Sequence, residues 1–325
     1  MLIGNWQEIT KKIEAYDSLV IFHHIRPDGD CLGSQFGLRE LIRLNYPNKK
    51  VYAIGDSKGS FSNFLTFDFD EIPSDEILKQ SLGIIVDANF KERIEFREVL
   101  DKNLFPETIR IDHHPNEDDL DNCTRWVDSS KIAADEMITE LAYRNNWKID
   151  SKAASYLFLG IVTDSGRFTY SNTSANTHEL VAHLYKNGLE ADKIFAGLAE
   201  SSLEDLKLQG ILMANMKTVG QVVYTWIDVK TANSLGKKPN EVVRPNLIGN
   251  LKGYPFWVQF IEEENGKIRV EYRSNGPIVR NVALKWGGGG HERASGSILE
   301  SFDLIPDVIA DCNQEVIRWK EENNK

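Results

Sequence analysis

The sequence predicts an α/β protein of two domains: a mostly parallel, Rossmann-like sheet covered by helices, then a helical linker and a smaller mixed α/β domain. Short runs rich in Val and Ile alternate with helical stretches through the first half, the pattern of strands buried on both faces. Beyond about residue 216 the pattern changes character. At 325 residues the chain also exceeds the size at which one hydrophobic core stops growing.

Taken in order, strands are expected at 19–22, 51–54, 83–86 and 108–111, and helices at 33–45, 132–145, 153–162 and 176–186. Spaced Leu, Ile and Met over 201–216 read as a helix. This sets a first domain at 1–200, a linker at 201–218 and a second domain at 219–325. In the second domain, 221–227 reads as a strand, and 257–261 and 268–272 flank Glu-Asn-Gly as a β-hairpin. A helix at 279–285 runs into four glycines and His291, and a strand follows at 294–299.

A net charge of -11 argues against partners such as long duplex nucleic acid, whose binders neutralise many phosphates with clustered Lys and Arg. Small or short anions need only a locally basic pocket. Cys31, Cys123 and Cys312 are too few and too scattered for a disulfide framework or a thiolate metal site. No basic region precedes a long apolar stretch, and no run reaches membrane-spanning length. A cytoplasmic protein with no membrane partner is expected.

In such sheets ligands bind beyond the carboxyl ends of the strands, and the polar clusters fall there. His24, Asp28 and Asp30 lie within seven residues after the first strand. Imidazole mixed with carboxylate suits a divalent transition metal, although Pro-Asp-Gly is also a common turn. Asp87 ends the apolar run Gly-Ile-Ile-Val, where an acid also serves as a helix cap. Asp112-His113-His114 ends the fourth strand, and neighbouring histidines on an extended segment diverge, so one can ligate while the other faces substrate. Asp164 enters the loop Ser-Gly-Arg-Phe, where a turn-supporting acid is the alternative. Four segments converging on one sheet edge favour a metal site over four unrelated coincidences. His23 reads as a packed or solvent-facing histidine, not a ligand.

The spacing His24-x-x-x-Asp28-x-Asp30 with Gly33-Ser34, then Asp87, Asp112-His113-His114 and Asp164-Ser-Gly resembles the four motifs of the DHH phosphoesterases. Arg273-Ser-Asn-Gly and Gly287-Gly-Gly-Gly-His291-x-x-Ala294-Ser-Gly resemble their associated C-terminal substrate domain. Together these are similar to the branch of bifunctional oligoribonucleases and adenosine 3′,5′-bisphosphate phosphatases. The resemblance implies one metal on His24, Asp28 and Asp87, a second on Asp30, Asp87, His113 and Asp164, and Asp87 as the bridge. It implies a catalytic role for Asp87 and for His114, the substrate-facing or proton-donating histidine. Ser165 departs from the pattern, since close relatives often carry Thr there.

Between 269 and 293, five basic residues (Arg269, Arg273, Arg280, Lys285, Arg293) stand against two acids, Glu271 and Glu292. A basic segment in an acidic chain suggests a phosphate pocket, and glycine backbone can approach a phosphate closely, although a glycine run is also a helix terminator. Arg273, Arg280, His291, Gly288, Gly289 and Gly290 are therefore the candidate substrate-binding residues, across an interdomain cleft from the metals. The aromatic residues Tyr254, Trp257 and Tyr272 are read as core.

The expected activity is hydrolysis of very short single-stranded RNA to mononucleotides and of adenosine 3′,5′-bisphosphate to AMP. Two divalent ions are expected, Mn²⁺ first, with Mg²⁺ or Co²⁺ as alternatives. Rival readings are a phosphodiesterase for a cyclic dinucleotide (cyclic di-AMP) or a linear dinucleotide, and a non-catalytic nucleotide sensor. A homodimer is left open.

Overall fold

A computed structural model of the chain describes residues 2–57, 59–114 and 117–323. It divides into two compact units, Met1–Glu200 and Ser201–Lys325. Among the described residues, the strands form two six-stranded sheets, one in each unit.

The first unit contains β1 (Leu2–Ile3), α1 (Trp6–Ala15), β2 (Ser18–Phe22), α2 (Gly29–Asn45), β3 (Lys50–Ala53), α3 (Asp75–Leu78) and β4 (Ser81–Val86). It continues with α4 (Arg97–Asp101), β5 (Glu107–Asp112), β6 (Cys123–Asp128), α5 (Ala134–Arg144), α6 (Ser151–Asp164), α7 (Ala175–Lys186) and α8 (Ala191–Ala199). The sheet order is β1-β6-β5-β4-β2-β3. Strands β2 to β6 are parallel and β1 is antiparallel at the edge. Every residue of β2 and β4 is buried, as expected where both faces are covered. The four expected strands are present within two residues of their expected ends. β6 was not anticipated, because Cys-Thr-Arg-Trp-Val-Asp carries no continuous apolar run.

The second unit contains α9 (Leu203–Ala214), β7 (Lys217–Val219), β8 (Val222–Ile227), α10 (Val229–Ser234), β9 (Phe256–Glu262), β10 (Ile268–Ser274), α11 (Val279–Lys285), β11 (Gly289–Gly290), β12 (Ala294–Leu299) and α12 (Ile305–Asn323). Its sheet order is β11-β12-β10-β9-β8-β7, parallel only between β8 and β9. Helix α9 is more than a connector: Leu208 and Leu212 share a core with Ile227, Val242 and Ile261. Helix α12 was not anticipated, although its buried Val308, Ile309, Cys312, Glu315 and Val316 follow helical spacing. No described helix is long and apolar enough to cross a membrane.

Candidate metal centre

The chain leaves β2 for β3 on one side and later returns to place β4 on the other. That reversal opens a crevice at the carboxyl ends of neighbouring strands. His24 lies two residues past β2, Asp87 directly follows β4, and Asp112 closes β5 ahead of His113 and His114. Asp28 caps α2, its Oδ1 accepting from the backbone N–H groups of Asp30 and Cys31 at 3.1 and 3.0 Å. Asp164 is the last residue of α6. Asp87 caps no helix; it is buried with φ +53, a left-handed conformation that Asp tolerates better than most residues.

The structure brings all six sequence-predicted ligands together in two sets. His24 Nε2 lies 3.4 Å from Asp28 Oδ2 and 3.3 Å from Asp87 Oδ2. His113 Nε2 lies 3.4 Å from Asp30 Oδ2, 3.5 Å from Asp87 Oδ1 and 3.5 Å from Asp164 Oδ2. Asp87 thus turns one oxygen to each set. Atoms that ligate a cation at about 2.1 Å stand roughly 3 to 3.5 Å from one another. The buried His113 Nε2 and Asp87 Oδ1 have no hydrogen-bond partner. Buried polar atoms left this way call for an explanation, and divalent cations supply one. His24 Nδ1 lies 2.9 Å from the Ile25 carbonyl oxygen; donation there leaves Nε2 as the ligating nitrogen.

The same crowding shifts the protonation of the metal-free cluster. Burial opposes a charge on His24, yet hydrogen bonds to Asp28 and Asp87 raise its pKa well above the usual imidazole range. His113 is buried too, but Asp87 and Asp30 push it up to about 9. Burial, then the charge of Asp87, pushes Asp164 up to about 7. Asp87 is held well below the carboxylate range, against burial, by its three imidazole neighbours. Cation binding therefore displaces protons from the site.

Asp30 has a second role. Helix α5 has Ala133 at its N-cap, with no side-chain cap of its own. Asp30 accepts instead, from Ala134 N–H at 2.8 Å and Asp135 N–H at 2.9 Å. Asp30→Ala is expected to cost the metal-free protein about 1 kcal/mol, the value of a lost helix cap, because burial and the charges of Asp87 and Asp164 raise the Asp30 pKa well above the carboxylate range and offset part of what the two hydrogen bonds contribute. Asp164→Ala is expected to be neutral or stabilising, because folding raises the pKa of Asp164 and so disfavours its carboxylate. Urea denaturation in EDTA checks both; equal losses would show that Asp30 has no separate structural role.

Asp112 and Cys31 stand close enough to the ligands to be considered, but their atoms are otherwise engaged. Asp112 Oδ2 accepts from Arg110, while Oδ1 accepts from His114 N–H at 2.9 Å and lies 2.8 Å from His114 Nδ1. The Asp112 carboxylate at 2.8 Å, then that of Asp87 at 3.2 Å from the same Nδ1, push His114 up to about 10. The Cys31 thiol donates to the Asp28 carbonyl, and burial pushes it up to about 12. His23 is buried and stacked on Phe69, with Nε2 2.8 Å from Glu95 Oε2. It is packed, as expected.

In the second unit, Arg273 on β10 pairs in register with Ala294, whose carbonyl accepts from His291 N–H. Arg280 and His291 are exposed. The expected basic excess is smaller than the sequence suggests, because Arg269 pairs with Glu263, Arg273 with Glu271 and Lys285 with Asp311. The Gly288 amide donates to Ala283 and so helps close α11. At Gly288 the helix-terminator alternative holds, and its amide is not a free anion donor. A Cβ at Gly288 would meet Gly296 O at 2.0 Å, so glycine is needed there for close packing against β12. Trp257 and Tyr272 are core residues.

The model of the DHH family, N-terminal domain, matches residues 18–161, and that of the DHHA1 domain matches residues 220–322. A Mycoplasma pneumoniae protein named bifunctional oligoribonuclease and PAP phosphatase NrnA is 46% identical over 96% of this chain and 97% of its own length. The Bacillus subtilis protein of the same name is 35% identical over 94% of this chain and 96% of its own. Among solved structures, an exopolyphosphatase-related protein from Bacteroides fragilis covers 98% of this chain and 97% of its own, with TM-score 0.79 and 22% identity, a likeness of fold. The chain belongs to the DHH family of metal-dependent phosphoesterases, with a DHHA1 domain in its second unit.

Proposed function

We propose that this chain hydrolyses very short RNA to mononucleotides and adenosine 3′,5′-bisphosphate to AMP. The observation that carries the chemistry is the division of Asp87 between two imidazole–carboxylate sets. Full-length similarity to proteins named for these two activities supports the substrate class. His24, Asp28 and Asp87 would hold one divalent ion, and Asp30, Asp87, His113 and Asp164 the other. Mn²⁺ is the metal proposed, with Mg²⁺ or Co²⁺ as substitutes. Two such ions, when bound, would supply charge neutralisation at a phosphoryl group and a water of lowered pKa.

The protein's own groups supply the rest. His114, fixed through Nδ1 by Asp112, presents Nε2–H to the leaving oxygen as general acid. Arg273, Arg280 and His291, with the backbone of Gly289 and Gly290, bind substrate phosphate. One terminal-phosphate pocket limits substrate length without a long basic groove.

A chromatographic panel with Mn²⁺ tests the reading on dinucleotide RNA, longer RNA, adenosine 3′,5′-bisphosphate, cyclic di-AMP and pyrophosphate. Dinucleotides and the bisphosphate are expected to turn over fastest, with rates falling beyond pentamers. Activity that rises with RNA length, or pyrophosphate as best substrate, would overturn it. Arg273→Ala is expected to raise KM by about 10- to 100-fold, the value of a charge-assisted phosphate contact, and to leave Mn²⁺ affinity unchanged.

A further inference from the structure

Strand β5 carries a polar pair on one face of the sheet. Arg110 and Asp112 are two residues apart, so their side chains project to the same side, opposite the core residues Ile109 and Ile111, with Arg110 in register beside Ile85 of β4. Both side chains are fully buried, at 0% exposure. Arg110 Nε and Nη2 donate to the same oxygen, Asp112 Oδ2, at 3.0 and 2.5 Å. Arg110 Nη1 donates to Asp118 Oδ2 at 2.8 Å. Arg125, on β6, closes the far side of Asp118 with bonds of 2.7 and 2.6 Å to its two oxygens.

The result is a ladder of alternating charge, Arg125, Asp118, Arg110, Asp112, that ends on His114. An ion pair this buried adds little net stability, because desolvating both partners offsets their attraction. What it does supply is direction. With two N–H groups on Oδ2, Asp112 turns only Oδ1 to His114, where it meets both the backbone N–H and Nδ1. His114 is thus held once at its backbone and once at its ring, where Nδ1 also lies 3.2 Å from Asp87 Oδ1, and Nε2 is the nitrogen left for substrate.

We propose that Arg110 is a positioning residue for His114, acting through Asp112, with Asp118 and Arg125 as its outer support. The inference rests on the reading of His114 as proton donor. Arg110→Lys keeps the positive charge and removes the planar fork, so it tests direction and not charge. With dinucleotide RNA and Mn²⁺ it is expected to lower kcat by about 10- to 100-fold, the usual effect of losing a ligand-orienting partner. KM should stay within about twofold, and Mn²⁺ affinity by calorimetry should be unchanged.

A double-mutant cycle separates the outcomes. In an His114→Ala background, Arg110→Lys should have no further effect on kcat. An undiminished effect there would overturn the proposal, because Arg110 would then act elsewhere. His114→Ala with wild-type kcat would instead remove the proton-donor reading, and this inference with it. If Arg110→Lys does not fold by circular dichroism, Asp118→Asn is carried through the same cycle. A smaller loss of kcat that disappears without His114 supports the proposal, and a loss that persists overturns it.

Discussion

Replacing Asp87 with Asn is expected to lower kcat by at least about 10³-fold, more than a single lost transition-state donor usually costs. The size follows from position. One carboxylate faces both imidazole sets, Oδ2 toward His24 at 3.3 Å and Oδ1 toward His113 at 3.5 Å. A neutral amide has one weak ligand oxygen and no charge to set against two cations, so both sites lose a ligand at once. Asn is the proper variant because it adopts φ +53 readily, whereas Ala there adds about 1–2 kcal/mol of left-handed strain. Three imidazoles hold Asp87 below the carboxylate range, so its loss also costs the metal-free protein modestly, about 1–2 kcal/mol. Binding to the native state alone raises stability by mass action. Mn²⁺ should therefore raise the Tm of the wild type and leave that of Asp87→Asn nearly unmoved. A variant that keeps a tenth of wild-type kcat, or its Mn²⁺-induced Tm shift, would refute the bridging role.

Much of this centre is legible in the sequence because strand ends are legible. Apolar runs place β2 and β4, alternating Ile places β5, and the acids and imidazoles that follow these strands lie at the carboxyl edge. Asp87 illustrates the limit of residue-by-residue reading. In isolation an acid at a strand tip serves best as a helix cap, and only the company of His24 and His113 favours reading it as a ligand. Asp30 illustrates the reverse: a ligand by motif, it is also the missing cap of α5, 104 residues away. No local pattern reports a cap donated from another helix, because the only sign is negative, an alanine where Ser or Asp is usual.

Two further features left signals that local reading passed over. In Thr-Ile-Arg-Ile-Asp, alternation puts Arg110 and Asp112 on one face of a strand buried on both sides. A strand taken simply as an apolar run conceals that paired charge. The second is a stripe of glycine at every fourth residue of α2, Gly29, Gly33 and Gly37. Glycine inside a helix weakens it, so the stripe reads as a defect until α6 is laid against it. A Cβ at Gly29 would meet Thr163 Oγ1 at 2.3 Å, one at Gly33 the Tyr156 carbonyl oxygen at 2.6 Å, and one at Gly37 a Leu157 methyl at 2.7 Å. The stripe sets how closely Asp30 on α2 approaches Asp164 at the end of α6, and therefore sets the geometry of the second ligand set.

Gly160→Ala is the second large effect expected, and its sign opposes helix propensity. In an unhindered helix interior this change stabilises by about 0.5–1 kcal/mol. Here a Cβ would stand 1.7 Å from Asp135 Oδ2, 2.5 Å from its Cγ and 2.8 Å from Asp30 Cα. Overpacking typically costs about 1–3 kcal/mol, and one of these neighbours is backbone that cannot rotate aside. Overpacking should win, with a net loss of at least about 2 kcal/mol. Because the backbone in question belongs to Asp30, kcat should fall with stability. Asp135 supplies the internal control. It is fully buried, its side-chain oxygens have no hydrogen-bond partner, and burial beside Asp30 pushes its pKa well above the carboxylate range. Shortening it removes the nearest clashing atoms, so Asp135→Ala with Gly160→Ala should recover part of the stability lost by Gly160→Ala alone. The double variant should regain less activity than stability, since the contact with Asp30 Cα remains. Urea midpoints and kcat for the two single variants and the double variant measure this coupling. Strict additivity in stability would show that the helices part instead of repacking around Asp135, and a Gly160→Ala protein as stable as wild type would sink the argument that this glycine sets the spacing of the metal ligands.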